Sequence, residues 1–286
     1  MSCVIERPPT RTSAKVAQLL KSAVRKGFDP KDADRIMSKA KMSDHLIEIY
    51  NYLDTSKKYY ITPESTIPSI KIHMGAKPRF FEQTSERELN ENYGLPTFQL
   101  EPHTEENPIP PTILTHLMVS WNNRGENIMM LGGSSPSPRS EDYRWLTEMI
   151  YKYKYFPHLM VMSLHWVNED NTEKLILRSE LILIRLIVFK GRKDEKEPHD
   201  IIPALLISVR PYQYVIIEAY YDGKDVHENY GEPIAMSDKV PPKELDRGMK
   251  YVIGWATAQP CGKTASYEVS PKSFVGLIRM ASFVRA

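Results

Sequence analysis

The sequence predicts an α+β fold, with an antiparallel or mixed sheet packed by helices behind an N-terminal helical hairpin. Three observations carry this. The first is the block from Glu173 to Gly223, where an apolar run (Leu175 to Phe189) precedes two further apolar segments, Ile201 to Val209 and Tyr214 to Tyr221. The second is a pair of helical patterns near the N-terminus. The third is that helices and antiparallel hairpins interleave without a regular strand–helix–strand alternation.

The elements follow in order. Thr12 or Ser13 caps a helix whose Val16, Leu19, Leu20, Ala23 and Val24 recur at helical spacing, and Gly27 ends it. Asp29 followed by Pro30 is a second cap with proline in the first turn. Ile36, Met37, Ala40, Leu46, Ile47, Ile49 and Tyr50 carry that helix, with a break expected at Ser43-Asp44. Residues 1–56 are thus an N-terminal helical unit. Residues 57–111 read as a proline-rich connector, acidic in its second half, with one short helix near Glu86 to Asn92.

Residues 112–286 read as the α+β core. Ile113 to Trp121 and Asn127 to Leu131 form a hairpin, Glu141 to Lys154 a helix, and Leu159 to Val167 a strand. The run to Phe189 exceeds strand length and is assigned to a mostly buried helix, with strand kept open by its β-branched end. Ile201 to Val209 and Gln213 to Tyr221 form a hairpin around Arg210-Pro211-Tyr212, and Asp222-Gly223 turns the chain again. Lys250 to Ala258 reads as a strand, and Ser270-Pro271 caps a C-terminal helix.

Composition excludes several classes. Among 286 residues, 38 bases balance 36 acids, so any basic surface must be local. Two cysteines and no Asn-x-Ser/Thr acceptor argue against a disulfide framework and secretion. Arg178, Glu180 and Arg185 interrupt the longest apolar run, which argues against a membrane span. The expected compartment is cytosol or nucleus. The basic N-terminus, with Arg7, Arg11, Lys15, Lys21, Arg25 and Lys26 against a lone Glu6, keeps the mitochondrion as a lesser alternative.

Several motifs carry candidate chemistry. Gly262-Lys263-Thr264 has the ending of a phosphate-binding loop, but Thr257 stands where the first glycine belongs and Pro260 lies inside. It is judged a false match, a polar turn. Gly132-Gly133-Ser134-Ser135 could hold an anion through its amides, but connector is the default. Glu180, Asp200 and Glu218 are the catalytic candidates: an acid on the apolar run beside acids on a hairpin resembles the arrangement of restriction-type nuclease cores, although the strand reads Glu218-Ala219-Tyr220 rather than Glu-x-Lys. The alternative for Glu180 is a structural ion pair, with Arg178 or Arg185 as mate. Tyr151, Lys152, Tyr153 and Lys154 interleave aromatics with bases, the chemistry of single-stranded nucleic-acid binding, or mark the basic end of a helix. The eight histidines share no metal spacing, so neither metal nor cofactor is expected.

The order Glu180, apolar helix, His199, Pro203 to Ser208, then Ile216 to Gly223 resembles a segment of uncharacterised proteins of filamentous fungi. That resemblance implies a fungal source and an intracellular place, and carries no activity. The expectation is therefore a soluble intracellular binding or scaffold protein without catalysis, its partner a protein or a nucleic acid. The alternative is a divergent or degenerate metal-dependent nuclease-like core.

Overall fold

A computed structural model of the chain describes residues 11–55, 60–62, 67, 69–98, 128–132, 143–153, 155–167, 176–184, 186–187, 199, 201–237 and 239–264. Two helices open it, α1 (Arg11–Arg25) and α2 (Pro30–Thr55). Then come β1 (Tyr60–Ile61), β2 (Ile70–Met74), β3 (Phe81–Glu82), α3 (Glu86–Tyr93), β4 (Ile128–Gly132), β5 (Tyr143–Tyr153), β6 (Leu159–Val167) and β7 (Ile176–Leu177). A 3-10 turn (Arg178–Ile182) follows, then β8 (Ala204–Arg210), β9 (Gln213–Tyr221), β10 (Val226–Tyr230), β11 (Ile234–Ala235), α4 (Pro242–Ala256) and β12 (Gln259–Pro260).

The fold is α+β. One mixed sheet runs β2-β10-β9-β8-β6-β5-β4, with β11 also paired to β9. β2 lies parallel to β10 and β6 parallel to β8, while the other neighbours on this path are antiparallel. Every residue of β8 and β9 is buried, which is why these segments read as continuous apolar runs. Side chains alternate between two cores. Leu205, Ile207, Val209, Tyr214, Ile216 and Tyr220 face one, closed by Phe80, Phe81, α3 and α4. Leu206, Val215, Ile217 and Tyr221 face the other, closed by α2 and by Leu181, Leu183, Ile184 and Ile187. Burying a side chain such as Leu206 or Ile217 contributes about 1.5–3 kcal/mol.

The predicted N-terminal helices are present, but α2 runs unbroken through Ser43-Asp44. Both residues are buried, and the Asp44 carboxylate accepts from the Ser13 N–H at 2.9 Å, so it caps the start of α1 from the side. The short helix expected near Glu86 is α3. Ser85 and Glu88 form a capping box, and Gly94 ends the helix with φ 56. The β8–β9 hairpin turns through Pro211 and Tyr212, whose φ of 62 fits the second central position of a type II turn.

Three assignments are corrected. The helix expected over Glu141 to Lys154 is strand β5, in which Met149, Tyr151 and Tyr153 point into one core with period two, after a register shift between Thr147 and Met149. The strand expected over Lys250 to Ala258 is the second half of α4. Leu245, Met249, Val252, Ile253 and Ala256 recur at helical spacing from Pro242 onward, and the β-branched pair Val252-Ile253 imitated a strand. The run from Leu175 is no single helix but holds β7, the 3-10 turn and helical residues at 183–184 and 186–187. The segment read as a connector supplies β2 to the edge of the main sheet. The strand Ile113 to Trp121, the loop Gly133 to Ser135 and the helix after Pro271 lie outside the described residues.

Candidate functional site

The densest polar cluster lies on the core face shared with α2. In β8, Ser208 and Arg210 continue the row of Ala204 and Leu206, so period two places a hydroxyl and a guanidinium among aliphatic side chains. The 3-10 turn delivers Glu180 opposite them, and it is fully buried. Arg210 grips it with two donors, Nε to Oε1 at 2.8 Å and an Nη to Oε2 at 2.6 Å. Ser208 donates to Oε1 at 2.5 Å, Tyr230 of β10 donates to Oε2 at 2.6 Å, and the Leu177 N–H reaches Oε2 at 2.9 Å. Tyr230 also accepts from Arg210. Burial alone would push the Glu180 carboxyl up, but the Arg210 guanidinium, His165 and the Ser208 hydroxyl together outweigh it and hold the carboxyl below its usual range.

Two further titratable groups belong to this core. His165 of β6 is bonded at Nε2 to Ser163 (2.9 Å) and at Nδ1 to Ser179 (2.8 Å). Burial lowers its pKa to about 4, so it is a neutral imidazole at physiological pH. Glu228 of β10 is buried on the same face, and neither of its carboxyl oxygens has a hydrogen-bond partner among the described residues. Burial first, and then the charge of Glu180, push it up to about 8.

The structure separates the acids named from the sequence. Glu180 faces the α2 core, whereas Glu218 of β9 faces the opposite side. There Glu218 accepts from the Arg79 N–H (2.8 Å), the Phe80 N–H (2.6 Å) and the Asn229 amide (2.8 Å). Burial raises its pKa, and these donors oppose the shift. The sheet therefore stands between Glu180 and Glu218. Asp200 lies outside the described residues, as does Arg185. Among the described residues the ion-pair partner of Glu180 is Arg210, 30 residues on, rather than Arg178. An arginine closing an otherwise apolar strand, two residues after Ser208, was the signal available in the sequence.

The aromatic–basic stretch is also placed. Tyr151 and Tyr153 are buried, with hydroxyls on Met149 Sδ and on Met160 Sδ and the Ala258 carbonyl, so neither ring is available to stack on a base. Lys152 is half-buried on the other face of β5, and Lys154 lies outside the described residues. In Gly262-Lys263-Thr264, Gly262 adopts φ 77 against the Phe80 ring, Lys263 is exposed, and the buried Thr264 hydroxyl bonds His199 Nδ1 at 2.8 Å. The preceding strand, β12, is two residues long and pairs antiparallel with β3. A phosphate-binding loop instead follows a strand and opens a helix.

One exposed face of α1 carries bases without acids. Val16, Leu20, Ala23 and Val24 are half-buried on its inner side. Lys15, Lys21, Arg25 and, one residue past the helix, Lys26 are exposed, within an arc of about 140° at 3.6 residues per turn. No acid occurs between Glu6 and Asp29, and none of the four bases has an ion pair among the described residues. Some bases elsewhere are matched, Lys71 with Asp225, Arg87 with Glu91, and Lys250 with Asp246 and Glu86, whereas others, such as Lys31, Lys77 and Lys243, stand singly among the described residues. Leu19, 71% exposed, sits at the rim of this basic face.

Compared with family models, curated proteins and solved structures, the chain matches none of them. Among the described residues no helix is long and apolar enough to cross a membrane, and no group of three histidine, cysteine or acidic side chains is placed to hold a metal ion.

Proposed function

We propose that the chain is a non-catalytic binding or scaffold protein that presents the outer face of α1 to a negatively charged partner, either an acidic protein surface or a nucleic acid. The observation that carries this is the set of four exposed, unmatched bases on one side of α1 in a chain whose overall charge is only +2. A matched surface lysine contributes little to stability. An unmatched row leaves its field open to an incoming anion and steers association. The place of action that fits the proposal is cytosol or nucleus, where Cys261 stays a free thiol.

The test is fluorescence anisotropy with labelled single-stranded DNA, duplex DNA and a poly-glutamate peptide, each titrated against the full chain and a Lys15→Glu/Lys26→Glu variant. If all four bases meet duplex phosphates, the logarithm of affinity falls with the logarithm of salt at a slope of about −3.6, and the variant shows at most half of that. Preference for the peptide over both DNAs selects a protein partner. Equal binding of wild type and variant to all three probes, or no binding to any, overturns the proposal.

A further inference from the structure

The face of the sheet opposite the Glu180 cluster carries, at its β2 edge, a row of side chains that the buried chemistry does not use. His227 of β10 bonds Asp222 Oδ2 through Nε2 at 2.7 Å. Its other nitrogen, Nδ1, stands 3.1 Å from Nε2 of His73 on β2. Asp222 is itself fixed, since its Oδ1 accepts from the Lys224 and Asp225 N–H groups, each at 2.8 Å. Tyr220, the cross-strand partner of His227, lies parallel to the imidazole, with centroids 4.9 Å apart and 6° between planes. Lys71, the nearest base, is engaged with Asp225 at 2.7 Å. His73 is exposed.

We infer that His73 Nε2 and His227 Nδ1 form a binding site for a divalent transition-metal ion such as zinc, with Asp222 as the carboxylate that orients His227 from behind. Imidazole nitrogens are the donors such ions prefer. A carboxylate on the far nitrogen of a ligating histidine fixes its tautomer and raises its basicity. With Asp222 accepting from Nε2–H, the Nδ1 lone pair is the one left to bind. At metal–nitrogen distances of about 2.0–2.1 Å, two nitrogens on one ion at right or tetrahedral angles stand about 2.8–3.4 Å apart. The observed 3.1 Å is that of a head-on N–H···N hydrogen bond, so the two nitrogens already stand close enough for a ring rotation to bring them onto one ion.

Without an ion, the rings are nearly coplanar (6°, centroids 5.4 Å) and point head-on, sharing one proton. The metal takes that place once His73, the exposed partner, swings its ring so that both lone pairs converge, and the displaced proton passes through water to Nδ1 of His73, which stays neutral. Since no third side-chain ligand is at hand among the described residues, water fills the remaining positions and the ion stays open to a further ligand.

Isothermal titration of the full chain with zinc chloride tests this, using His73→Gln and Asp222→Asn. Wild type takes up one zinc per chain. Glutamine keeps a donor toward His227 but offers the ion no imidazole, so affinity falls at least tenfold. Asparagine keeps the turn hydrogen bonds through its carbonyl but presents an amide N–H to His227 Nε2. The ring proton then moves to Nδ1, and affinity falls about 10–100-fold although residue 222 never touches the ion. Imidazole nitrogen-15 shifts report binding at Nδ1 of His227 and at Nε2 of His73. Absence of zinc uptake by wild type, unchanged affinity in His73→Gln, or a zinc-induced shift at Nε2 of His227 instead of Nδ1 overturns the inference.

Discussion

Glu228→Gln isolates the least expected group in the core. In the folded chain Glu228 holds its proton up to about pH 8, against an ordinary value of 4.5. Between those limits the folded state binds more protons than the unfolded state. Stability therefore falls as pH rises from 4.5 to about 8, and is flat in this group on either side. At about 1.4 kcal/mol per pH unit, the full gap is worth about 5 kcal/mol, of which about 2 kcal/mol lies between pH 6.5 and 8. His165 works the other way: it loses its proton at about 4 when folded and at 6.5 when unfolded, so it adds stability as pH rises through that window.

The two slopes oppose each other below pH 6.5, so the informative quantity is the difference between variant and wild type. Glutamine mimics the protonated acid, and the two proteins should have equal stability near pH 4.5. Urea unfolding curves along the pH axis should then show the variant gaining about 3 kcal/mol on wild type by pH 6.5 and about 2 kcal/mol more by pH 8. A difference curve that stays flat from pH 4.5 to 8 would refute the assignment of Glu228 as a buried neutral acid.

Two further substitutions test the same frame. Glu180→Leu leaves the Arg210 guanidinium buried without its carboxylate and should cost about 3–5 kcal/mol in urea unfolding, while Glu180→Leu/Arg210→Met should recover most of that loss, because an apolar replacement of a buried pair is often neutral. Asp44→Ala removes the acceptor for the Ser13 N–H and should cost about 1 kcal/mol, with faster amide exchange confined to the first turn of α1.

The parts of the fold that were legible in the sequence are those in which one element determines its own pattern. The α1–α2 hairpin, the capped helix α3 and the β8–β9 hairpin have local signals in caps, turns and spacing. β5 was misread because Trp145, Met149 and Lys152 also fit a helical spacing, and burial of alternate residues emerges only when β4 and β6 flank it. β2 and β10 were missed because each is five residues long and polar on one side. The candidate residues divide in the same way. That Glu180 needs a mate follows from its place in an apolar run, but choosing Arg210 requires the 3-10 turn to lie over β8. His73 and His227 are 154 residues apart, so no spacing rule within one segment could join them.

The parallel pairing of β2 with β10 also bears on how the chain is made. At about 5–20 residues per second, the ribosome needs roughly 8–30 s to pass from the codon for His73 to that for His227. Throughout that interval β2 has been synthesised and β10, its one sheet neighbour among the described residues, has not. The nascent chain thus carries an unzipped strand edge through most of its synthesis, and Lys71 and His73, polar residues on that edge, keep it from pairing with the wrong strand while it waits.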